Sequence, residues 1–260
     1  MFVWDGAAYE AYIGRWSRVV ARDFLAWLAA PSGRRWLDVG CGTGALSEAI
    51  LRDLSPSEVV GCDPTPAMLP YARERVGDER VTFLSADARS LTFPDGLFDA
   101  VVSGLVLNFI PSPEQGVAEM ARVTQAGGTV AGYVWDYASQ MQLMRHFWDA
   151  AVALDPAARD LDEGRRFPIC QPAALETLFR DAGLADVVVH AIDIPTVFRD
   201  FDDYWLPFLG PAGPAANYAT SLTEEYRSAL RDRIRAGLPS APDASIPLVA
   251  RVWAVRGRAR

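Results

Sequence analysis

Leu37-Asp38-Val39-Gly40-Cys41-Gly42-Thr43-Gly44 is the stretch that decides the fold. Arg34 to Val39 is a short run with buried-strand character, and apolar residues then recur at 46, 49, 50 and 54, a helical spacing. The stretch therefore reads as the end of a parallel strand, a glycine turn and the start of a helix. Gly40, Gly42 and Gly44 remove alternate side chains, so the backbone can take conformations closed to other residues and a ligand can lie against it.

Working outward, Glu58 to Asp63 reads as a second strand ending in an acid, with Pro64 and Pro66 near the start of a helix that reaches Val76. Val81 to Ser85, Leu97 to Ser103 and Thr129 to Trp135 are the next strands. A helix from Pro113 to Thr124 and a turn at Gly127-Gly128 precede the last of these. The later elements are helices at 137–155, 172–182 and 223–237, with strands at 185–194 and 246–255. Strands alternating with helices imply an α/β fold, a doubly wound sheet whose ligands lie beyond the carboxyl ends of the strands. Gly40, Asp63, Asp87 and Ser103 all fall at those ends.

Composition narrows the function. The chain has 260 residues, half of them apolar, enough for a sizeable core. Its net charge of −8 and the lack of any basic run beyond Arg34-Arg35 or Arg165-Arg166 argue against nucleic acid as a partner. No lysine occurs, which excludes Schiff-base and Walker-type chemistry. Three scattered cysteines, Cys41, Cys62 and Cys170, suggest neither a disulfide framework nor a metal site. With no apolar stretch of membrane-spanning length and no basic-then-apolar leader, the expected setting is the cytoplasm.

Asp63 stands about twenty residues after the loop, where an acid accepts from both ribose hydroxyls of an adenosine. That placement also suits a nicotinamide dinucleotide, and Gly40-x-Gly42 followed by Ala45 meets the looser dinucleotide pattern. The fuller set is Leu37 to Gly44, Gly61-Cys62-Asp63, Ser85-Ala86-Asp87-Ala88, Phe98 to Ser103 and Gly127-Gly128-Thr129-Val130. In this order it resembles the class I S-adenosylmethionine-dependent methyltransferases, in the branch that includes ubiquinone/menaquinone-type and other small-molecule methylases. Specific motifs carry the resemblance over residues 5 to 135.

The resemblance implies a Rossmann-like seven-stranded sheet, mostly parallel with the last strand antiparallel. It also implies S-adenosyl-L-methionine as cofactor, contacted by Gly40, Cys41, Gly42 and Gly44 at the methionine and ribose. Asp63 would take the ribose hydroxyls, Pro64 and Met68 would flank the adenine, and Asp87 and Ala88 would hydrogen-bond it. Ser103 would bind the amino group through its carbonyl. Tyr9 to Arg18 is similar to the N-terminal segment of glycine N-methyltransferase-like enzymes, which implies a contact from Tyr9 and pairing of Arg18 with the methionine carboxylate.

The expected organisation is one domain over 1–260, with a helical cover at 5–30 and lid-like segments at 136–170 and 195–222 that cover the substrate. The expected reaction is in-line methyl transfer to a small, largely apolar acceptor, aromatic or quinone-like. That acceptor is expected between the helix at 137–155 and the insertion at 195–222, whose aromatics and methionines include Met144, Phe147, Trp148, Tyr204, Trp205 and Phe208. Such a stripe also suits an ordinary core. Asn108, His146 and Tyr204 are the candidate polar groups, while His190 within a strand reads as structural. The rival readings are a nicotinamide-dependent oxidoreductase, disfavoured by Asp87, and a methyltransferase fold serving only as a binding module.

Overall fold

The computed structural model describes residues 13–210 and 213–260, so the expected contact from Tyr9 and the first part of the cover lie outside the described residues. In chain order the elements are α1 (Arg15–Leu28), β1 (Arg35–Val39), α2 (Ala45–Asp53), β2 (Glu58–Asp63), α3 (Leu69–Val76), β3 (Val81–Ser85) and β4 (Phe98–Gly104). Then follow α4 (Pro113–Val123), β5 (Thr124–Trp135), α5 (Gln142–Leu154), α6 (Glu163–Arg166), α7 (Pro172–Asp181), β6 (Ala185–Phe198), α8 (Phe201–Trp205), α9 (Gly213–Ser221), α10 (Glu224–Gly237) and β7 (Ile246–Arg258). The chain divides into two compact units. A sheet unit comprises residues 17–134, 171–192 and 252–260, and a second unit comprises 135–170 and 193–251 with residues 13–16.

The sheet runs in the order β3-β2-β1-β4-β5-β7-β6. The first five strands are parallel: Leu37 pairs with Val60 on one side and Val101 on the other, Asp63 with Ser85, and Val102 with Ala131. β7 runs against β5, since Gly127 N–H donates to the Ala259 carbonyl and Ala259 N–H to that of Gly128, while Asp136 N–H donates to Arg251. The seven-stranded sheet with an antiparallel last strand is thus as expected. The interior strand β1 is buried from Trp36 to Val39, as a strand covered on both faces must be. α1 places Val20, Ala21, Phe24, Leu25 and Leu28 in the core, with Phe24 at 4.6 Å from the Tyr133 ring. His190 stacks on Trp27 at 5.5 Å, an interaction between side chains of the scaffold.

Several boundaries differ from the sequence reading, among them those of β5 and β6. Gly127-Gly128 does not end a connection; it lies inside β5, which begins at Thr124. A register irregularity between Phe98 and Ala100 absorbs the extra residues, and Gly127 takes φ +76 there, so the strand bulges and continues. β6 extends to Phe198 because Ile192, Ile194, Thr196 and Phe198 are buried alternately with exposed neighbours. What remains of the expected insertion folds as α8, the 3-10 turn Leu206–Leu209 and α9.

In the second unit the aromatic stripe packs on itself. Phe147 stacks on Phe208 at 4.5 Å, Trp148 lies 5.7 Å from Tyr218, and Tyr204 lies 5.4 Å from Phe208. Met144, Phe147, Trp148, Tyr204 and Phe208 are all at most 1% exposed, so these side chains form that unit's core.

Candidate functional site

The candidate site is built at the carboxyl ends of β1 to β4, all within the sheet unit. β1 hands the chain to the glycine loop, and the loop is clamped to the end of β2 by Gly40 and Cys41 N–H groups, which donate to the Cys62 carbonyl at 2.7 and 3.0 Å. Gly40 has φ +76, and a Cβ placed there would stand 2.5 Å from a Val106 methyl. That position requires glycine for both conformation and space. Gly42 has φ +51, and a Cβ there would meet nothing within 4 Å among the described residues. α2 begins just beyond with Gly44 as N-cap and no side-chain cap, which leaves its first N–H groups for a ligand.

Asp63 is nearly buried at 9% exposure, and its carboxylate accepts from Gly42 N–H at 3.1 Å and Thr65 N–H at 2.8 Å. These bonds fix the carboxylate beside the loop and use about two of its roughly four acceptor positions, so a diol can take the rest. Asp87 lies two residues beyond the end of the neighbouring strand. Its side chain is 44% exposed and pairs with Arg89 at 2.6 Å. Hydrogen bonds from the Arg89 side chain and backbone hold its pKa down to about 2, so it is ionised and acts only as an acceptor. Arg89 is a partner that the sequence reading did not name, although its i+2 spacing is the signal.

Behind the loop, Asp38 is buried and accepts from Ser47 Oγ at 2.7 Å. Burial pushes its pKa up to about 7; the Ser47 hydrogen bond pulls it down, and Asp63 adds to the rise. Cys41 is buried, and desolvation raises its thiol well above the ordinary value, so it is no nucleophile. Ser103 is fully buried, its hydroxyl donating to the Val39 carbonyl at 2.9 Å, and so ties β4 to the end of β1. Met68 and Ala88 are buried, Pro64 is exposed, and Arg18 is half-buried on α1.

Beyond β4, Leu105 has φ +62, a strained conformation for a leucine. Asn108 follows in the short turn Leu107–Phe109, half-buried, and its Nδ2 is buried with no hydrogen-bond partner among the described residues. An unsatisfied buried donor at the carboxyl edge of a sheet calls for a ligand or another explanation.

The other two candidate polar groups lie in the second unit. His146 is half-buried in α5, and burial lowers its pKa while Asp149 opposes, so it is neutral at neutral pH. Tyr204 corrects the sequence reading: its hydroxyl is fully buried and donates to the Leu143 carbonyl at 2.8 Å, so it is committed within the core. Glu163 was not singled out by sequence, yet it is buried and accepts from Trp148 Nε1, and burial raises its pKa to about 7. Among the described residues no group of three His, Cys, Asp or Glu side chains is placed to hold a metal. No helix among them is long and apolar enough to cross a membrane.

The glycine loop, the helix start and two acids on adjacent strand ends stand together at the carboxyl edge of a doubly wound α/β sheet, the edge at which such folds take their ligands. A family model described as a methyltransferase domain matches residues 37–132. The chain is 30% identical over 182 residues to a demethylmenaquinone methyltransferase of Roseiflexus castenholzii, covering 65% of this chain and 76% of that one. It is 40% identical over 128 residues to a phosphatidylethanolamine N-methyltransferase of Cereibacter sphaeroides, covering 48% and 61%. Among solved structures, phosphoethanolamine N-methyltransferase 2 of Haemonchus contortus with S-adenosyl-L-methionine superposes with a TM-score of 0.60 at 18% identity, over 97% of this chain and 56% of that one. The chain belongs to the class I S-adenosylmethionine-dependent methyltransferases, in the quinone-methylase-like branch.

Proposed function

We propose that the protein binds S-adenosylmethionine at the glycine loop and transfers its methyl group to a small, largely apolar acceptor, aromatic or quinone-like. The observation that carries the reading is the Asp63 carboxylate locked onto the Gly42 N–H, with Asp87 ionised at the next strand end. When bound, the cofactor supplies an electrophilic methyl group on a sulfonium, which leaves S-adenosylhomocysteine after one in-line displacement. Asp63 would accept from the ribose hydroxyls and Asp87 from the adenine amine. Pro64, Met68 and Ala88 would complete the adenine contacts, and the Gly40–Gly44 backbone and the Ser103 carbonyl would hold the methionine end.

The chain's contribution is positioning: near-attack geometry can supply roughly 7 to 11 kcal/mol. Asn108 would donate through Nδ2 to an oxygen of the acceptor and orient its ring, which accounts for the unpaired amide. An acceptor that reaches the site as a phenolate or enolate has already lost its proton and needs no base from the chain. The acceptor class is supported by the relatives: demethylmenaquinone and phosphatidylethanolamine, named for two of them, both carry long apolar tails.

Incubation with S-adenosylmethionine and a panel of short-tailed hydroquinones, catechols and ethanolamine lipids, read out as S-adenosylhomocysteine and methylated product, tests this. We expect product with a hydroquinone, and a lowered rate for Asn108→Ala with cofactor affinity retained. Turnover of ethanolamine lipids alone, or oxidation of a nicotinamide cofactor in place of methylation, would overturn it.

A further inference from the structure

The two acids at the carboxyl edge differ in what they have left to give. Their strand ends are joined, since Asp63 pairs with Ser85 and the Ala86 N–H donates to the Asp63 carbonyl at 3.3 Å. Asp63 accepts only from the Gly42 and Thr65 N–H groups, so of the roughly four acceptor positions of a carboxylate about two stay open, enough for a diol.

Asp87 is spent further, and Arg89 alone spends it. Oδ1 accepts from the Arg89 backbone N–H at 2.9 Å and from Arg89 Nε at 3.0 Å, while Oδ2 accepts from Nη2 at 2.6 Å. Nε also stands 3.2 Å from Oδ2, sharing one hydrogen between the two oxygens. About one acceptor position is left, on Oδ2. Solvent reaches this pair, for the Asp87 side chain is 44% exposed and that of Arg89 39%, with buried Ala88 between them. A single open position on an ionised carboxylate suits one N–H donor and repels an oxygen.

We propose that Arg89 is a positioning residue that sets base specificity: its planar fork holds Asp87 with one acceptor position open, so the site selects a 6-amino over a 6-oxo purine. This rests on the cofactor site proposed above.

The same turn recurs at the other edge of the sheet and supplies a control. Before β3, Asp78 accepts from the Arg80 backbone N–H at 2.8 Å, from its Nε at 3.0 Å and from its Nη2 at 2.7 Å. That turn lies at the amino end of the strand, away from the glycine loop.

Calorimetric titration of the full chain with S-adenosylhomocysteine and with its 6-oxo analogue, S-inosylhomocysteine, gives a ratio of affinities. The wild type is expected to favour the amine about tenfold or more, the order of one hydrogen bond to a charged group. In Arg89→Ala the ratio should fall to within about threefold, chiefly through weaker S-adenosylhomocysteine binding, and Arg89→Lys, which keeps the charge and loses the fork, should fall likewise. Arg80→Ala should keep the wild-type ratio. All three variants should melt as the wild type does, because exposed ion pairs add little stability. A wild-type ratio retained in Arg89→Ala, tighter S-adenosylhomocysteine binding in that variant, an equal fall in Arg80→Ala, or a wild type indifferent to the 6 position overturns the proposal and leaves the cofactor site standing. A wild type that binds neither compound overturns the cofactor site and this proposal with it.

Discussion

At the carboxyl edge of the sheet unit, side chains are withheld: among the described residues a Cβ on Gly42 would meet no neighbour and the Asn108 amide has no partner, while Asp63 is held by backbone N–H groups. In the core of the second unit, side chains fill one another's space, with Phe147 on Phe208 at 4.5 Å and the Tyr204 hydroxyl bonded to the Leu143 carbonyl. Both regions are dense in distinctive residues, yet only the first leaves hydrogen-bonding capacity and volume unspent. Unspent capacity, rather than aromatic density, marks where a ligand belongs.

That contrast breaks most readily at Phe147. Phe147→Ala should cost about 3 to 5 kcal/mol of stability, as a buried phenylalanine in a filled core does. A melting curve would show it, while the folded fraction keeps its S-adenosylhomocysteine affinity. Unchanged stability with lost acceptor turnover would mean that the stripe lines a pocket after all. Tyr204→Phe should have a smaller effect, about 1 to 3 kcal/mol, because the buried Leu143 carbonyl loses its donor. Wild-type melting behaviour in that variant would show that the hydroxyl is not committed to the core.

Each of the two units also holds a buried carboxyl whose pKa burial raises. Asp38 is raised from 3.8 and Glu163 from 4.5, both to about 7, chiefly by burial. A carboxyl whose folded pKa exceeds its unfolded value keeps its proton better in the folded state. Stability therefore falls as pH rises from about 4 to about 7, by at most about 1.4 kcal/mol per pH unit for each group. Asp38→Asn and Glu163→Gln should each flatten the decline of melting temperature over that window. Identical slopes in wild type and both variants would show that neither carboxyl is protonated in the fold.

Much of this was legible in the sequence. The strand at 58–63 stands where its apolar run bounded by turn residues puts it, because a strand buried on both faces has little freedom in composition. Gly127-Gly128 misled because glycine pairs mark both turns and bulges, and only the pairing partner distinguishes them. The aromatic stripe of α5 misled in part because helical spacing says that a face is buried and not what buries it. Tyr204 and Glu163 depend on contacts across long stretches of chain, and no local pattern encodes those. The partners of Asp63 were hidden for another reason: they are backbone N–H groups, which any sequence supplies.

The central claim is that the loop at 40–44 and Asp63 form an adenosyl-cofactor site. Calorimetric titration of S-adenosylhomocysteine into the wild type and Asp63→Ala tests it most directly. Saturable binding is expected in the wild type, weakened in the variant by about 1 to 3 kcal/mol for each ribose hydroxyl left without its acceptor. No heat with S-adenosylhomocysteine alongside tight binding of a nicotinamide dinucleotide, or equal affinity in the two proteins, would contradict it.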